Sequence, residues 1–280
     1  MPDFPHVEGV EHRFVQAGGV RLHVAEAGTG APLLLVHGWP QHWYEWRGLV
    51  AELAGERRLI MPDLRGFGWS DVPEGPIEPD VFVRDLVALL DALGLEQVDV
   101  AGHDWGGFST LLLSARHPER VRRLLAVSSP SPWLKVTPQL ALETWRAWYA
   151  ALFAAGLMHR DGARLASWFM RREGISGHDV EVFAARLREP ARASATTRLY
   201  RAYLRTVAAT ARGKATAEPR STVPTLLMIG DRDMAVTPKL ATGFEHAGED
   251  MRAEVVPGAG HFICDTHPQL VASRVREHLA

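Results

Sequence analysis

A single cysteine, Cys264, stands in 280 residues. It excludes an internal disulfide framework and fits a reducing, cytoplasmic setting. No apolar run approaches the roughly 20 residues that cross a bilayer. The opening M-P-D-F-P-H-V-E-G-V lacks the basic start and apolar stretch of a signal peptide. An excess of one charge is missing as well. The 31 Lys/Arg and 33 Asp/Glu leave a net charge of -2, so neither nucleic acid nor a membrane surface is an expected partner. No His/Cys cluster has metal-ligand spacing, and no metal or other cofactor is expected. There is no internal repeat or low-complexity tract. What remains is ordinary for a globular protein: 46% hydrophobic and 23% charged residues. A chain of this length buries about three quarters of its unfolded surface, and it suits one large core better than two domains.

The first third alternates strands and helices. His12 to Ala17 and Val20 to Ala25 read as two strands joined at Gly18-Gly19, a hairpin signal. P-L-L-L-V-H-G and R-L-I-M-P-D are apolar runs bounded by Gly and Pro, as in strands buried on both faces of a parallel sheet. A helix is predicted from Pro79 through Leu93, then a strand at Val98–Ala101, a helix from Phe108 to Arg116 and a strand at Val121–Val127. From about Trp133 to Arg212 only helical periodicity is found. Thr137-Pro138 is a candidate helix start, followed by an apolar stripe of Trp145, Trp148, Tyr149, Leu152 and Phe153. Tyr200, Tyr203, Leu204, Val207 and Ala208 repeat that spacing. The α/β pattern resumes with T-L-L-M-I-G and A-E-V-V-P. The predicted organisation is therefore an α/β core at 1–132 and 214–280, interrupted by a helical insertion at 133–213. The insertion carries 13 Lys/Arg against 6 Asp/Glu, about +7, while the core is near -9. A solvated arginine-rich face is the simpler account, and attraction of anionic substrates the other.

The decisive stretch is V-D-V-A-G-H-D-W-G-G-F, Val98 to Phe108. A strand runs into a glycine-rich turn and then a helix, which lifts one side chain clear of the sheet. Most such elbows carry serine at the tip; here it is Asp104. A carboxylate is already ionised at neutral pH and can displace a leaving group from an sp³ carbon, forming an ester. The helix N-terminus behind it favours negative charge. Partners follow in the order nucleophile, acid, histidine. D-R-D offers Asp233, or Asp231 as the fallback, and G-A-G-H-F offers His261 on a loop after the last strand.

With H-G-W-P, D-L-R-G-F-G-W-S-D, G-H-D-W-G-G and G-H-F in place, the chain resembles the α/β-hydrolases over essentially its whole length. Within them it resembles the epoxide hydrolase and haloalkane dehalogenase branch. The resemblance implies a mostly parallel eight-stranded sheet flanked by helices, with the insertion as an all-helical cap. It implies that Asp104 is the nucleophile and that His261, oriented by Asp233, activates the water that hydrolyses the ester. It also implies an oxyanion hole from the N–H groups of Trp39 and Trp105, with Trp39–Pro40 cis. His37, Pro40, Trp148, Tyr203 and Phe262 are expected to border the substrate.

Opening an epoxide produces an alkoxide that needs a proton, whereas a halide leaves as a stable anion and needs only N–H donors. Epoxide hydrolases of this kind carry two cap tyrosines, and the resemblance points to Tyr149 and, before Arg201, to Tyr200. Tyr203 stays open as an alternative because periodicity does not separate it from Tyr200. The expected activity is hydrolysis of an apolar epoxide, with water, to a vicinal diol by a cofactor-independent monomer or homodimer. A haloalkane or haloacid dehalogenase using the same Asp-His-Asp trio is the alternative. Trp105 supports it; Trp39 fills the slot of a second halide donor, for which a cap tryptophan, Trp145, Trp148 or Trp168, could stand in. A ligand-binding protein on a retired hydrolase scaffold is a third reading, and the intact trio speaks against it.

Overall fold

The computed structural model describes residues 3–133, 148–156, 162–212, 218–241 and 243–279. Eight strands form one sheet: β1 (Val10–Ala17), β2 (Val20–Ala27), β3 (Ala31–Val36), β4 (Arg57–Pro62), β5 (Val98–His103), β6 (Val121–Val127), β7 (Thr225–Gly230) and β8 (Met251–Val256). Their order is β1-β2-β4-β3-β5-β6-β7-β8. β1 pairs antiparallel with β2, and β2 with β4; every other pairing is parallel. The strands in the middle of the sheet read as unbroken apolar runs because helices cover both faces. Leu33 to Val36 and all six residues of β5 are buried. The chain winds outward from β3 to β4 on one side and to β5 on the other. Carboxyl ends of strands at such a reversal open a crevice where ligands bind in α/β sheets.

Helices α1 (Arg47–Leu53), α2 (Pro79–Ala92) and α3 (Asp104–Arg116) belong to the core, as do α8 (Ile263–Thr266) and α9 (Pro268–His278). α2 starts with proline at its first turn and turns Phe82, Leu86, Leu89 and Leu90 inward. β5 runs two residues beyond the predicted Ala101, and α3 begins at Asp104 rather than Phe108. The elbow thus has no loop at all: strand passes into helix at the aspartate itself.

Between β6 and β7 the described residues hold four helices and no strand: α4 (Trp148–Ala154), α5 (Gly162–Arg172), α6 (Gly177–Leu187) and α7 (Pro190–Ala211). The predicted helix start at Thr137-Pro138 and Trp145 lie outside the described residues. The predicted α7 stripe is only partly inward. Tyr200 is buried and Tyr203 half-buried, but Val207 is exposed. Several arginines of this segment fasten it to the loop after β4. Arg186 donates to the Gly68 carbonyl, Arg192 to those of Phe67 and Ser70, and Arg198 to those of Pro73 and Gly75. For these residues the positive charge is used in docking helices on the core. Among the described residues, no helix is long and apolar enough to cross a membrane.

Candidate active site

Asp104 is one of two non-glycine residues with positive φ among those described, at +47°. An L-residue there is strained, and the surroundings must over-determine it. They do so by close packing. A Cβ on Gly106 would lie 2.1 Å from the Val36 carbonyl oxygen, which is rigid strand backbone, and one on Gly38 would lie 2.6 Å from the Asp104 Cβ. Gly106→Ala is therefore expected to destabilise the fold by about 3 kcal/mol or to prevent its formation. Denaturant unfolding beside the parent protein checks this.

The Asp104 carboxylate accepts the backbone N–H of Trp39 at 3.0 Å and that of Trp105. The Trp39–Pro40 bond is cis. Burial pushes the Asp104 carboxyl up from its ordinary range, while His261, His103 and the two N–H groups pull against it. His261 stands on the loop after β8, with Nε2 3.9 Å from an Asp104 oxygen. Its Nδ1 lies 2.9 Å from Asp233 Oδ2. Asp233 is fixed in turn, since its other oxygen accepts the N–H groups of Ala235 and Val236 at 2.8 and 2.7 Å. Asp231, the fallback, faces away and accepts the Gly258 N–H. Burial disfavours a charged His261, but Asp233, Asp104 and Glu173 outweigh it and raise its pKa to about 9.

Beneath these groups lies a buried pair that sequence reading missed. Glu45 Oε2 accepts the Gly38 N–H at 3.2 Å and faces His103 Nδ1 at 3.3 Å. His103 Nε2 donates to the His261 carbonyl at 3.1 Å. One pair thus ties the turn after β3, the residue before Asp104 and the histidine loop together. Burial works against a charged His103, yet Glu45 raises its pKa overall. The only signal for Glu45 was an acid in an otherwise aromatic run, W-Y-E-W.

A cavity of about 240 Å³ opens above Asp104 and His261. Trp39, Tyr149, Tyr200, Phe153, Phe169 and Met234 contribute to its wall. Trp148 and Trp168, each 50% exposed, also line it. Tyr149 and Tyr200 meet edge to face with ring centroids 6.0 Å apart. Burial raises both hydroxyl pKa values, and the negative charge of Asp104 adds to it.

Four of the residues expected at the substrate stand elsewhere. His37 is buried between the Gly38 carbonyl and the Leu64 N–H, and Pro40 lies outside the cavity wall. Phe262 packs behind His261, against His103 and Phe169. Tyr203 is turned onto the Trp105 ring, which leaves Tyr200 as the α7 tyrosine in the cavity. These positions follow from side-chain direction, which alternates along strands and rotates round helices. Phe153, which lay on a predicted helical stripe, and Phe169, which the sequence did not single out, are further wall residues.

Residues 31–268 match the family described as alpha/beta hydrolase fold. The chain belongs to that family. It is 31% identical to the AB hydrolase superfamily protein YfhM of Bacillus subtilis (strain 168), over 98% of this chain and 99% of the relative. It is 41% identical to Epoxide hydrolase 2 of Siraitia grosvenorii over 125 residues, covering 44% of this chain and 40% of that one. Among solved structures it resembles wild-type Cfl2 from Burkholderia cenocepacia, with TM-score 0.82, 28% identity and coverage of 98% and 97% of the two chains. Within the α/β-hydrolases the likeness runs toward epoxide hydrolases.

Proposed function

We propose that this hydrolase opens apolar epoxides to vicinal diols through an ester on Asp104. The observation that carries the reading is the facing arrangement in one cavity of a nucleophilic carboxylate and two tyrosine hydroxyls. Both tyrosines are held protonated at neutral pH by burial, so each can give a proton to an alkoxide, a far stronger base. An Asp104 oxygen attacks a ring carbon, the C–O bond breaks, and the freed oxygen takes a proton from Tyr149 or Tyr200. A water then loses a proton to His261 Nε2 as its oxygen adds to the ester carbonyl carbon. The Trp39 and Trp105 N–H groups stabilise the resulting oxyanion. Its collapse expels the diol oxygen, which takes the proton from His261, and the carboxylic acid left on Asp104 returns its proton to the tyrosinate, restoring both groups.

Alkylation also changes the histidine. In the free enzyme, with a pKa of about 9, the ring is largely protonated at neutral pH. Converting Asp104 to a neutral ester removes one of the anions that raise this value, and the ring becomes a base when one is needed. For the dehalogenase alternative, the indoles in the cavity besides Trp39 are Trp148 and Trp168, while the two core indoles are engaged elsewhere. Trp39 Nε1–H donates to Thr196 at 3.1 Å, and Trp105 is turned to Tyr200 and Tyr203.

Assay of a panel of terminal and aryl epoxides beside bromoalkanes tests the proposal. Diol should form from the epoxides. Tyr149→Phe and Tyr200→Phe should each slow it about tenfold or more, and the double variant 100-fold or more. Halide release without diol formation would replace this reading with the dehalogenase. No turnover of either class would favour a binding protein.

A further inference from the structure

The cap segment contributes more than a wall. α5 lies across His261 with two side chains four residues apart, on one helical face. Phe169 packs on the imidazole with ring centroids 5.8 Å apart. Glu173, just past the helix end, accepts the backbone N–H of His261 on Oε2 at 2.7 Å. The approach is close enough to dictate the neighbouring residue. A Cβ on Gly260 would lie 1.9 Å from that same oxygen. The loop G-A-G-H-F thus carries glycine where the cap's carboxylate comes down on it.

Resting on the reading of His261 as the base, we propose that Glu173 is a positioning residue for ester hydrolysis, fixing the histidine loop from the cap and holding the protonated ring. Three carboxylates face His261 in the free enzyme: Asp104 and Asp233 from the core, and Glu173 from the cap. His103 also stands beside it, and Arg172 beside Glu173. Once Asp104 is esterified, Glu173 and Asp233 are the two that remain. Glu173 therefore acts when the ring carries the proton of the attacking water. Its carboxyl is half-buried, which raises its pKa, opposed by the His261 N–H and ring. Attack on the epoxide does not require proton acceptance by His261, so the first step should be nearly indifferent to Glu173.

Single-turnover kinetics with intact-mass detection of the ester separate the steps. In Glu173→Gln the amide oxygen still accepts the His261 N–H but the charge is gone. Both rates should stay within a few-fold, while the acid limb of the hydrolysis rate moves to lower pH by about half a unit or more. In Glu173→Ala the hydrogen bond is lost too. Hydrolysis should slow about tenfold with alkylation unchanged within about twofold, as a small displacement of the base would cause. The inference is overturned if the pH limb stays put in Glu173→Gln, or if Glu173→Ala slows both steps equally or neither. A His261→Gln control distinguishes the failures. If it accumulates no ester, the underlying mechanism is wrong and this role falls with it; if ester accumulates and the Glu173 variants behave as wild type, only this role is wrong.

Discussion

Asp104→Ala should lower diol formation by about four to six orders of magnitude, since it removes the atom that forms the bond in the proposed mechanism. The loss should come without unfolding, because the strained position at φ +47° is held by the contacts of the neighbouring glycines rather than by the carboxylate. Circular dichroism and a melting curve beside the activity measurement check that separation. A labelling experiment probes the same bond in the unmodified protein. With excess enzyme in H₂¹⁸O, the first diol should carry unlabelled oxygen from Asp104, and the label should enter the protein at that carboxylate. Diol labelled in the first turnover would mean that water attacks the epoxide directly.

His261→Gln should stop the cycle after its first half. The proposed ester should still form, and the protein mass should rise by the mass of one epoxide. Turnover should fall by about 10³-fold or more, as when a general base and its orientation are both lost. The pH dependence gives a second signature. In the parent protein, hydrolysis of the ester should rise with pH through the histidine's value in that state, below the value of about 9 in the free enzyme. That limb should disappear in the variant. Stability carries a linked sign. A pKa raised from 6.5 to about 9 stabilises the fold fully below pH 6.5 and less as pH rises through 9. The melting-temperature advantage of the parent over His261→Gln should therefore shrink across that window. A variant that hydrolyses epoxide at the parent rate would sink the mechanism.

Much of this site was legible because its elements lie in local chain patterns. The elbow sets Gly102, Gly106 and Gly107 around Asp104, forced by close approaches that only glycine permits. Asp233 and His261 each follow an apolar strand, and parallel strands deliver their following loops to one edge of the sheet. The choice between Asp231 and Asp233 was harder. They are two residues apart, and only the turn that binds the Ala235 and Val236 N–H groups to Asp233 decides which carboxylate faces the ring. Tyr200 and Tyr203 posed the same difficulty on a helix. Three residues apart, they share a stripe and both meet Trp105, and only the packed structure puts Tyr200 in the cavity wall.

The order of strands and helices, the acidic tip of the elbow and the partners that follow it could be read along the chain, because burial and backbone sterics write themselves into short-range spacing. What meets across long separations depended on packing. Glu45 reaches His103 and Gly38, Glu173 reaches His261, and His37 and Phe262 withdraw from the cavity. Each is an ordinary residue in an ordinary local pattern. Its partner is chosen by how separate elements pack, and no spacing along the chain encodes that.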